Sequence, residues 1–291
     1  NDLKKSLVSK ATSLREKGMV PSLSVVLVGD DPASKVYVAM KHRAAQEIGI
    51  ASQVIRLPSE TSAMTLSKTL KDLSQNPDVH GILLQLPLPS PLKAYDALAQ
   101  ITPEKDVDGL TKTNVAALVE GRPCHRPCTP QGCLLLLKKA CQEKKISLAG
   151  RHAMVVGRSA LVGRPLMHML LQENCLVSVA HRHVTDAPRV ARQADFLIAA
   201  TGKTGLITPD WVKPGAIVID VGITKVLTPE GPRLEGDVDF DAVKNVAGAL
   251  TPVPGGVGPL TVAFLLKNTL DAAQAALHQT QDTPIKQEVS F

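Results

Sequence analysis

Short aliphatic runs alternate with amphipathic helical stretches through almost the whole chain, and that alternation restricts the fold more than any other feature of the sequence. Leu23-Ser-Val-Val-Leu-Val-Gly29 reads as a buried strand and residues 34–48 as a helix. Gln53-Val-Ile-Arg-Leu57 reads as a second strand, and residues 62–75 as a helix with Leu66, Leu70 and Leu73 on one stripe. A third strand is predicted at 82–86, a polar turn-rich loop at 102–109 and a helix near 114–119. The second half repeats the pattern. An apolar helix starts at Gln131, and strands follow at 153–157, 176–180, 196–200 and 216–221 with helical segments between them. Pro165 and Thr208-Pro209 mark helix entries, where proline's fixed φ and missing donor suit a first turn. Strands that are apolar throughout, each followed by a helix, predict parallel sheets covered on both faces. The fold class is therefore α/β: an N-terminal αβ domain and a C-terminal Rossmann-like, doubly wound parallel sheet, with a cleft between them.

The length of 291 residues suits roughly two domains. The three prolines of Arg122-Pro-Cys-His-Arg-Pro-Cys-Thr-Pro130 favour an extended connector, which places the boundary between 1–125 and 126–264. A last apolar helix is predicted from Thr261 to about Leu277, with a polar tail at 279–291 that should fray. The net charge of +6 would suit nucleic acid, anionic lipid or a phosphate-bearing small molecule. One Trp, two Tyr and four Phe are too few for stacking platforms, and the cations are interspersed with acids, so nucleic acid is not expected. The apolar run Gly81-Ile-Leu-Leu-Gln-Leu-Pro-Leu-Pro89 falls far short of the ~20 residues that span a bilayer, so no membrane partner is expected either. Five cysteines without a C-x-x-C pair suggest neither a disulfide framework nor a zinc ribbon, and no metal is expected at Cys124, His125 and Cys128. A reducing compartment follows. The chain opens at Asn1 without Met, which leaves the cytoplasm as the expectation and the mitochondrion as the alternative.

The strand ending at Gly157 leads through Arg158, Ser159 and Gly163 into a helix, the arrangement that turns backbone donors and a helix dipole toward a pyrophosphate. Ser159 stands where the middle glycine of G-x-G-x-x-G would be, so the turn is an imperfect match. About 24 residues after Gly157, where an NAD enzyme places an acid for the ribose, stand His181-Arg182-His183. Basic side chains there suit the 2′-phosphate of NADP, with Arg158, Ser159 and Arg182 gathering it; a solvated basic loop is the other reading. On the helix 34–48, Tyr37 and Lys41 are i,i+4 neighbours on the apolar stripe, so Lys41 either snorkels or is aimed at a site. Gln85 interrupts an otherwise apolar strand and needs a partner if buried. Asp106 and Asp108 are acids of the polar loop that could simply cap backbone amides.

The residues resemble the bifunctional methylenetetrahydrofolate dehydrogenase/cyclohydrolase family. The matching stretches are Val28-Gly-Asp-Asp-Pro-Ala-Ser-Lys-Val-Tyr-Val-Ala-Met-Lys41, Gly81 to Pro89, Pro103-Glu-Lys-Asp-Val-Asp-Gly-Leu110, Arg126-Pro-Cys-Thr-Pro-Gln-Gly132, Val156-Gly-Arg-Ser159 with Val162-Gly163, and Thr251-Pro-Val-Pro-Gly-Gly-Val-Gly-Pro-Leu-Thr261. They occur in order over about residues 1–275. The resemblance implies oxidation of 5,10-methylenetetrahydrofolate with NADP⁺, followed by hydrolysis of the methenyl product to 10-formyltetrahydrofolate at the same site. It implies that Lys41 is the catalytic lysine of Tyr-x-x-x-Lys and that Gln85 hydrogen-bonds it. Tyr37 would pack on the folate rings, Asp108 would recognise the pterin, and Leu84, Leu86 and the loop Pro254, Gly255, Gly256, Val257 and Gly258 would line the folate pocket. Cofactor contacts are implied at Gly157, Arg158, Ser159, Gly163, His181, Arg182, Thr201, Gly202 and Ile223. The resemblance also implies a homodimer, and a first domain completed by the C-terminal helix at about 265–291. In relatives that use NAD, an arginine at position 182 would hold inorganic phosphate instead, so a monofunctional NAD-dependent dehydrogenase is the alternative. Short-chain dehydrogenases also use Tyr-x-x-x-Lys, but after the dinucleotide turn, whereas Tyr37 precedes Gly157 by about 120 residues.

Overall fold

The computed structural model describes residues 2–229 and 231–281. The chain divides into two units, one running to Asn114 and resuming at Leu265, the other spanning Val115–Phe264. The division falls ahead of the proline-rich segment at 122–130.

The first unit opens with α1 (Asp2–Glu16), then alternates β1 (Ser22–Val28), α2 (Pro32–Glu47), β2 (Ala51–Leu57), α3 (Ala63–Gln75), β3 (Gly81–Leu84) and the short α4 (Ala94–Leu98). Its three strands are parallel in the order β2-β1-β3, with Val25 opposite Val54 on one side and Leu83 on the other. α2 connects β1 to β2 and α3 connects β2 to β3, the long crossovers that parallel strands require. The stripe Leu66, Leu70 and Leu73 of α3 packs with Val26, Val28, Ile82 and Leu84 into one core. Leu66 and Leu70 are fully buried, each contributing about 2 kcal/mol of transfer free energy. Ser62 caps α3 by accepting from the Thr65 amide at 3.0 Å.

The second unit is entered along α5 (Lys112–Val119) and continues with α6 (Cys128–Glu143), β4 (His152–Val156), α7 (Gly163–Gln172), β5 (Leu176–Ala180), α8 (Ala187–Ala191), β6 (Phe196–Ala199), β7 (Ile217–Asp220), the hairpin β8 (Thr224–Thr228) and β9 (Gly231–Glu235), α9 (Phe240–Val243) and β10 (Ala249–Leu250). α10 (Val257–Gln281) starts in this unit and ends in the first. Five parallel strands lie in the order β10-β7-β6-β4-β5. Alternate residues face two separate cores: Ala153, Val155 and Ile198 point toward the α6 and α7 side with Leu137 and Leu166, while Met154, Val156 and Leu197 point toward Ala187, Ala191 and Val243. A parallel sheet buried on both faces explains why these strands read as continuous apolar runs. In chain order β4 comes first, β5 lies on one side of it and β6 on the other, so the winding reverses between β4 and β6.

Several boundaries differ from the sequence reading. β3 stops at Leu84, so Gln85 follows the strand rather than interrupting it. α6 starts at Cys128, because Pro130 within a helix's first turn gives up only an amide that has no intrahelical acceptor there. Thr208-Pro209 opens only a 3₁₀ turn, 209–211. α10 begins at Val257 instead of Thr261 and stays helical through Gln281, whereas the rest of the polar tail lies outside the described residues. The hairpin was not anticipated: Leu227 and Leu234 are exposed, so it has no buried face to impose a period-two pattern. Among the described residues, no helix is long and apolar enough to cross a membrane.

Candidate active site

The first unit gathers its polar groups at the carboxyl ends of β1 and β3. After β1, Asp31 caps α2 by accepting from the Ser34 amide at 2.7 Å, with Pro32 at the first helical position. This start turns Ser34, Val38 and Ala45 into the core and leaves Tyr37 and Lys41, one turn apart, half-buried on its flank. Lys41 Nζ donates to Gln85 Oε1 at 2.9 Å. Gln85 is itself fixed, since its backbone N–H donates to Val26 O at 2.9 Å and its Nε2 donates to Leu86 O at 2.7 Å. The side-chain amide therefore presents only its acceptor to the lysine. Being neutral, it orients the amine without the Coulombic pull toward the charged form that a carboxylate would exert. Burial pushes the Tyr37 hydroxyl above its ordinary pKa, so it stays protonated. Leu84 is buried in the apolar core and Leu86 packs against it.

The two loop acids have different surroundings. Asp106 is buried, accepting from the Thr111 amide at 2.7 Å and from Asn114 Nδ2 at 2.9 Å, and its segment pairs with Ile82 of β3. Asp108 is half-exposed beyond it.

In the second unit, Gly157 closes β4 at the reversal of the winding, the position where open α/β sheets bind ligands. Its φ is +122°, and a Cβ there would overlap the Ala200 carbonyl oxygen beyond β6. A Cβ on Gly163 would overlap the Gly157 carbonyl oxygen. Both glycines are thus required for strand, turn and helix to close up, and the resulting cradle fits a dinucleotide pyrophosphate at the start of α7. Ser159 Oγ, at the middle-glycine position, accepts from the Val162 amide at 3.1 Å and so holds the turn. At the end of β5, Arg182 Nε donates to His183 Nε2 at 3.1 Å, and the His181 and His183 rings meet edge-on. His181 is held below the ordinary histidine pKa by desolvation, by the positive charge of Arg158 and by His183. Arg158 and the 181–183 cluster therefore form one basic corner beside the Gly157 turn. Thr201 and Gly202 follow β6, and Ile223 follows β7 as an exposed apolar residue. Of the stretch expected as a loop at 254–258, only 254–256 precede α10, Val257 and Gly258 being its first two residues; Pro254, Gly255 and Gly258 are exposed, whereas Val257 is buried in this unit's own core. Among the described residues, no group of His, Cys, Asp and Glu could hold a metal ion.

Residues 1–108 match the family described as tetrahydrofolate dehydrogenase/cyclohydrolase, catalytic domain, and residues 127–277 match its NAD(P)-binding domain. The chain belongs to this family. The bifunctional protein FolD 2 of Sinorhizobium medicae is 51% identical over 257 residues, covering 88% of this chain and 85% of that protein. The bifunctional enzyme FolD of Campylobacter jejuni has a crystal structure with a TM-score of 0.88 and 41% identity, covering 94% of this chain and 95% of that one. The Trypanosoma brucei methylenetetrahydrofolate dehydrogenase-cyclohydrolase, solved with NADP and an inhibitor, gives a TM-score of 0.87 at 35% identity, covering 94% of both chains.

For a tetrahydrofolate dehydrogenase/cyclohydrolase, the split between the loop acids makes a direct prediction. Asp106→Ala leaves the Thr111 amide without its acceptor and Asn114 Nδ2 with only the Pro103 carbonyl, and should destabilise the first unit by about 1–3 kcal/mol in urea titration. Asp108 is half-exposed, so Asp108→Ala should shift the urea midpoint less than Asp106→Ala does, and equal shifts in the two variants would refute the division. Two residues missed in the sequence, Asp220 and Asp237, are buried acids at the carboxyl edge of the second sheet. An acid closing the apolar run Ile217-Val-Ile-Asp220 was the available signal.

Proposed function

We propose that this chain oxidises 5,10-methylenetetrahydrofolate with NADP⁺ and hydrolyses the resulting methenyl cation to 10-formyltetrahydrofolate. The observation that carries this reading is the Lys41–Gln85 hydrogen bond at the carboxyl edge of the catalytic domain's sheet. When bound, the nicotinamide supplies the two-electron hydride acceptor. The residues of the chain do the rest. Gly157, Gly163 and Ser159 hold the pyrophosphate, and Arg158, His181 and Arg182 take the 2′-phosphate. Thr201, Gly202 and Ile223 are the proposed contacts nearer the nicotinamide. Tyr37 carries the folate ring system, Asp108 accepts hydrogen bonds from the pterin's amidine edge, and Leu84 and Leu86 are further folate-lining residues of the first unit.

In the hydrolytic step, the methenyl carbon is cationic, and a second positive charge beside it is unfavourable, so Lys41 works as a neutral amine. Its Nζ takes a proton from water as the water oxygen bonds to the methenyl carbon. The tetrahedral product loses its hydroxyl proton and collapses, the bond from carbon to N5 breaks, and N5 takes the proton from Lys41. One proton is released overall. Gln85 keeps the amine lone pair on line throughout.

The assembly we propose is a homodimer in the cytoplasm. The resemblance supports the dimer, and the buried thiols of Cys133, Cys141 and Cys175 suit a reducing compartment. The functional reading is tested by initial rates of methylenetetrahydrofolate oxidation with NADP⁺ and with NAD⁺, with and without phosphate and magnesium, followed by methenyl substrate alone. Strong preference for NADP⁺ with rapid methenyl hydrolysis is expected; phosphate-stimulated NAD⁺ use or absence of hydrolysis would overturn the reading. Arg182→Ala should raise the KM for NADP⁺ by about 10–100-fold through loss of a charge-assisted phosphate contact, with the KM for NAD⁺ unchanged. Parallel losses with both cofactors would remove Arg182 from the phosphate site.

A further inference from the structure

At the carboxyl edge of the second sheet, two carboxylates are enclosed side by side. Asp220, the last residue of β7, uses both oxygens: Oδ1 accepts from the Gly222 amide at 2.9 Å and the Asp237 amide at 3.0 Å, and Oδ2 accepts from the Val238 amide at 3.0 Å. The backbone N–H of Asp220 donates to Thr251 Oγ1 at 2.8 Å, which ties it to the end of β10. Asp237 is fully buried and reaches in the opposite direction. Its Oδ2 accepts from the Thr201 amide at 2.5 Å and the Gly202 amide at 3.1 Å, just beyond β6. Its Oδ1 has no hydrogen-bond partner among the described residues. Glycines close the assembly: a Cβ on Gly222 would overlap Asp237 Oδ1, and one on Gly236 would overlap Asp220 Oδ2.

A buried acid that only filled space would be replaceable by an apolar residue, whereas Asp237 cannot be replaced so without leaving two backbone amides unpaired. It holds two consecutive amides of the turn that follows Ala200, the residue whose carbonyl lies against Gly157. We propose that Asp237, braced by Asp220, is a positioning residue for the cofactor: it fixes the Thr201–Gly202 turn beside the Gly157 cradle. This rests on the proposed reading of Gly157, Thr201 and Gly202 as cofactor-facing. Thr251, Asp220, Asp237 and the 201–202 turn form a continuous hydrogen-bonded line along the sheet edge, so the height of the turn is set from β10 and β7 as well as from β6.

The test compares Asp237→Ala, Asp237→Asn and Asp220→Asn with the parent enzyme. The readouts are calorimetric titration with NADP⁺, dehydrogenase kinetics, methenyl hydrolysis and the thermal midpoint. Asp237→Asn retains a carbonyl oxygen for both amides and should bind NADP⁺ within about threefold of the parent. Asp237→Ala loses both bonds and should weaken NADP⁺ about tenfold or more, raising the KM for NADP⁺ more than it lowers kcat. Methenyl hydrolysis, which needs no NADP⁺, should stay within about twofold. If Asp237→Ala does not fold, Asp220→Asn decides: it must turn an NH₂ toward a backbone donor and should weaken NADP⁺ while hydrolysis persists. Unchanged NADP⁺ affinity in Asp237→Ala, or equal loss of hydrolysis and NADP⁺ binding in the variants that fold, overturns the proposal. A parent enzyme that neither binds NADP⁺ nor oxidises methylenetetrahydrofolate overturns the functional reading itself, a different result.

Discussion

Lys41→Met is expected to lower the kcat of methenyltetrahydrofolate hydrolysis by about a thousandfold, the middle of the range for losing a positioned general base. Methionine matches the length of lysine and has similar helix propensity, so α2 keeps its register and its buried residues Ser34, Val38 and Ala45. Gln85 loses the donor to its Oε1 but stays anchored through its own amide and through Nε2. The thermal midpoint should therefore move by no more than about 4 °C, because the exchange is made at a half-buried position and keeps an aliphatic stem there. The oxidative half-reaction needs geometry and a hydride acceptor more than a base, so it should fall less than hydrolysis does. The measurement is hydrolysis of methenyl substrate without cofactor, alongside oxidation with NADP⁺. Hydrolysis within tenfold of the parent rate, in a protein that still melts normally, would take the base out of Lys41 and assign it elsewhere.

What could be read from the sequence followed from how local each signal is. The strands around Val25, Val155, Ile198 and Val218 are fully buried, and burial on both faces writes itself into an unbroken apolar run. Helix α3 shows the stripe Leu66, Leu70 and Leu73 because one of its faces is buried. The partnership of Lys41 and Gln85 spans 44 residues and left no trace in periodicity. Periodicity puts the lysine on a stripe and the glutamine inside a strand at 82–86; the family resemblance, not the spacing, joins them. Apart from the bond from the nearby Gly222 amide to Asp220, the partners of Asp220 and Asp237 are backbone amides 17 and 18 residues away for one and 36 and 35 for the other, brought together only by sheet order. The proline-rich segment misled in the other direction. Pro130 reads as part of the connector, yet a proline in a first helical turn forfeits nothing, so this boundary is decided by local helix-start chemistry, whereas the Lys41, Asp220 and Asp237 contacts are decided by tertiary placement.

Gly157→Ala should be the most damaging single methyl group in the second unit. Two separate penalties act on it. The φ of +122° lies where a Cβ is strained regardless of surroundings, and the new carbon would overlap the Ala200 carbonyl oxygen and stand 2.8 Å from its carbon. Neither obstacle is the free end of a side chain. Relief requires β4 and β6 to part at their carboxyl ends, which strains the bonds from Ala200 N to Val156 O at 2.8 Å and from Gly157 N to Ala180 O at 2.9 Å. Backbone strain and overpacking together cost about 3–5 kcal/mol, a large part of the ~5–15 kcal/mol that holds a domain folded. The same separation would open the cradle, so NADP⁺ affinity should fall at least about a hundredfold, beyond what the loss of one phosphate contact gives. Gly215→Ala is the control: its φ is +81° but a Cβ would meet nothing within 4 Å, so only about 1 kcal/mol of left-handed strain applies. Urea titration with calorimetric NADP⁺ binding separates the two variants. A Gly157→Ala protein with an unshifted midpoint and NADP⁺ affinity within threefold of the parent would mean that β4 and β6 have slack at this edge, and that the cradle is not built from their contact.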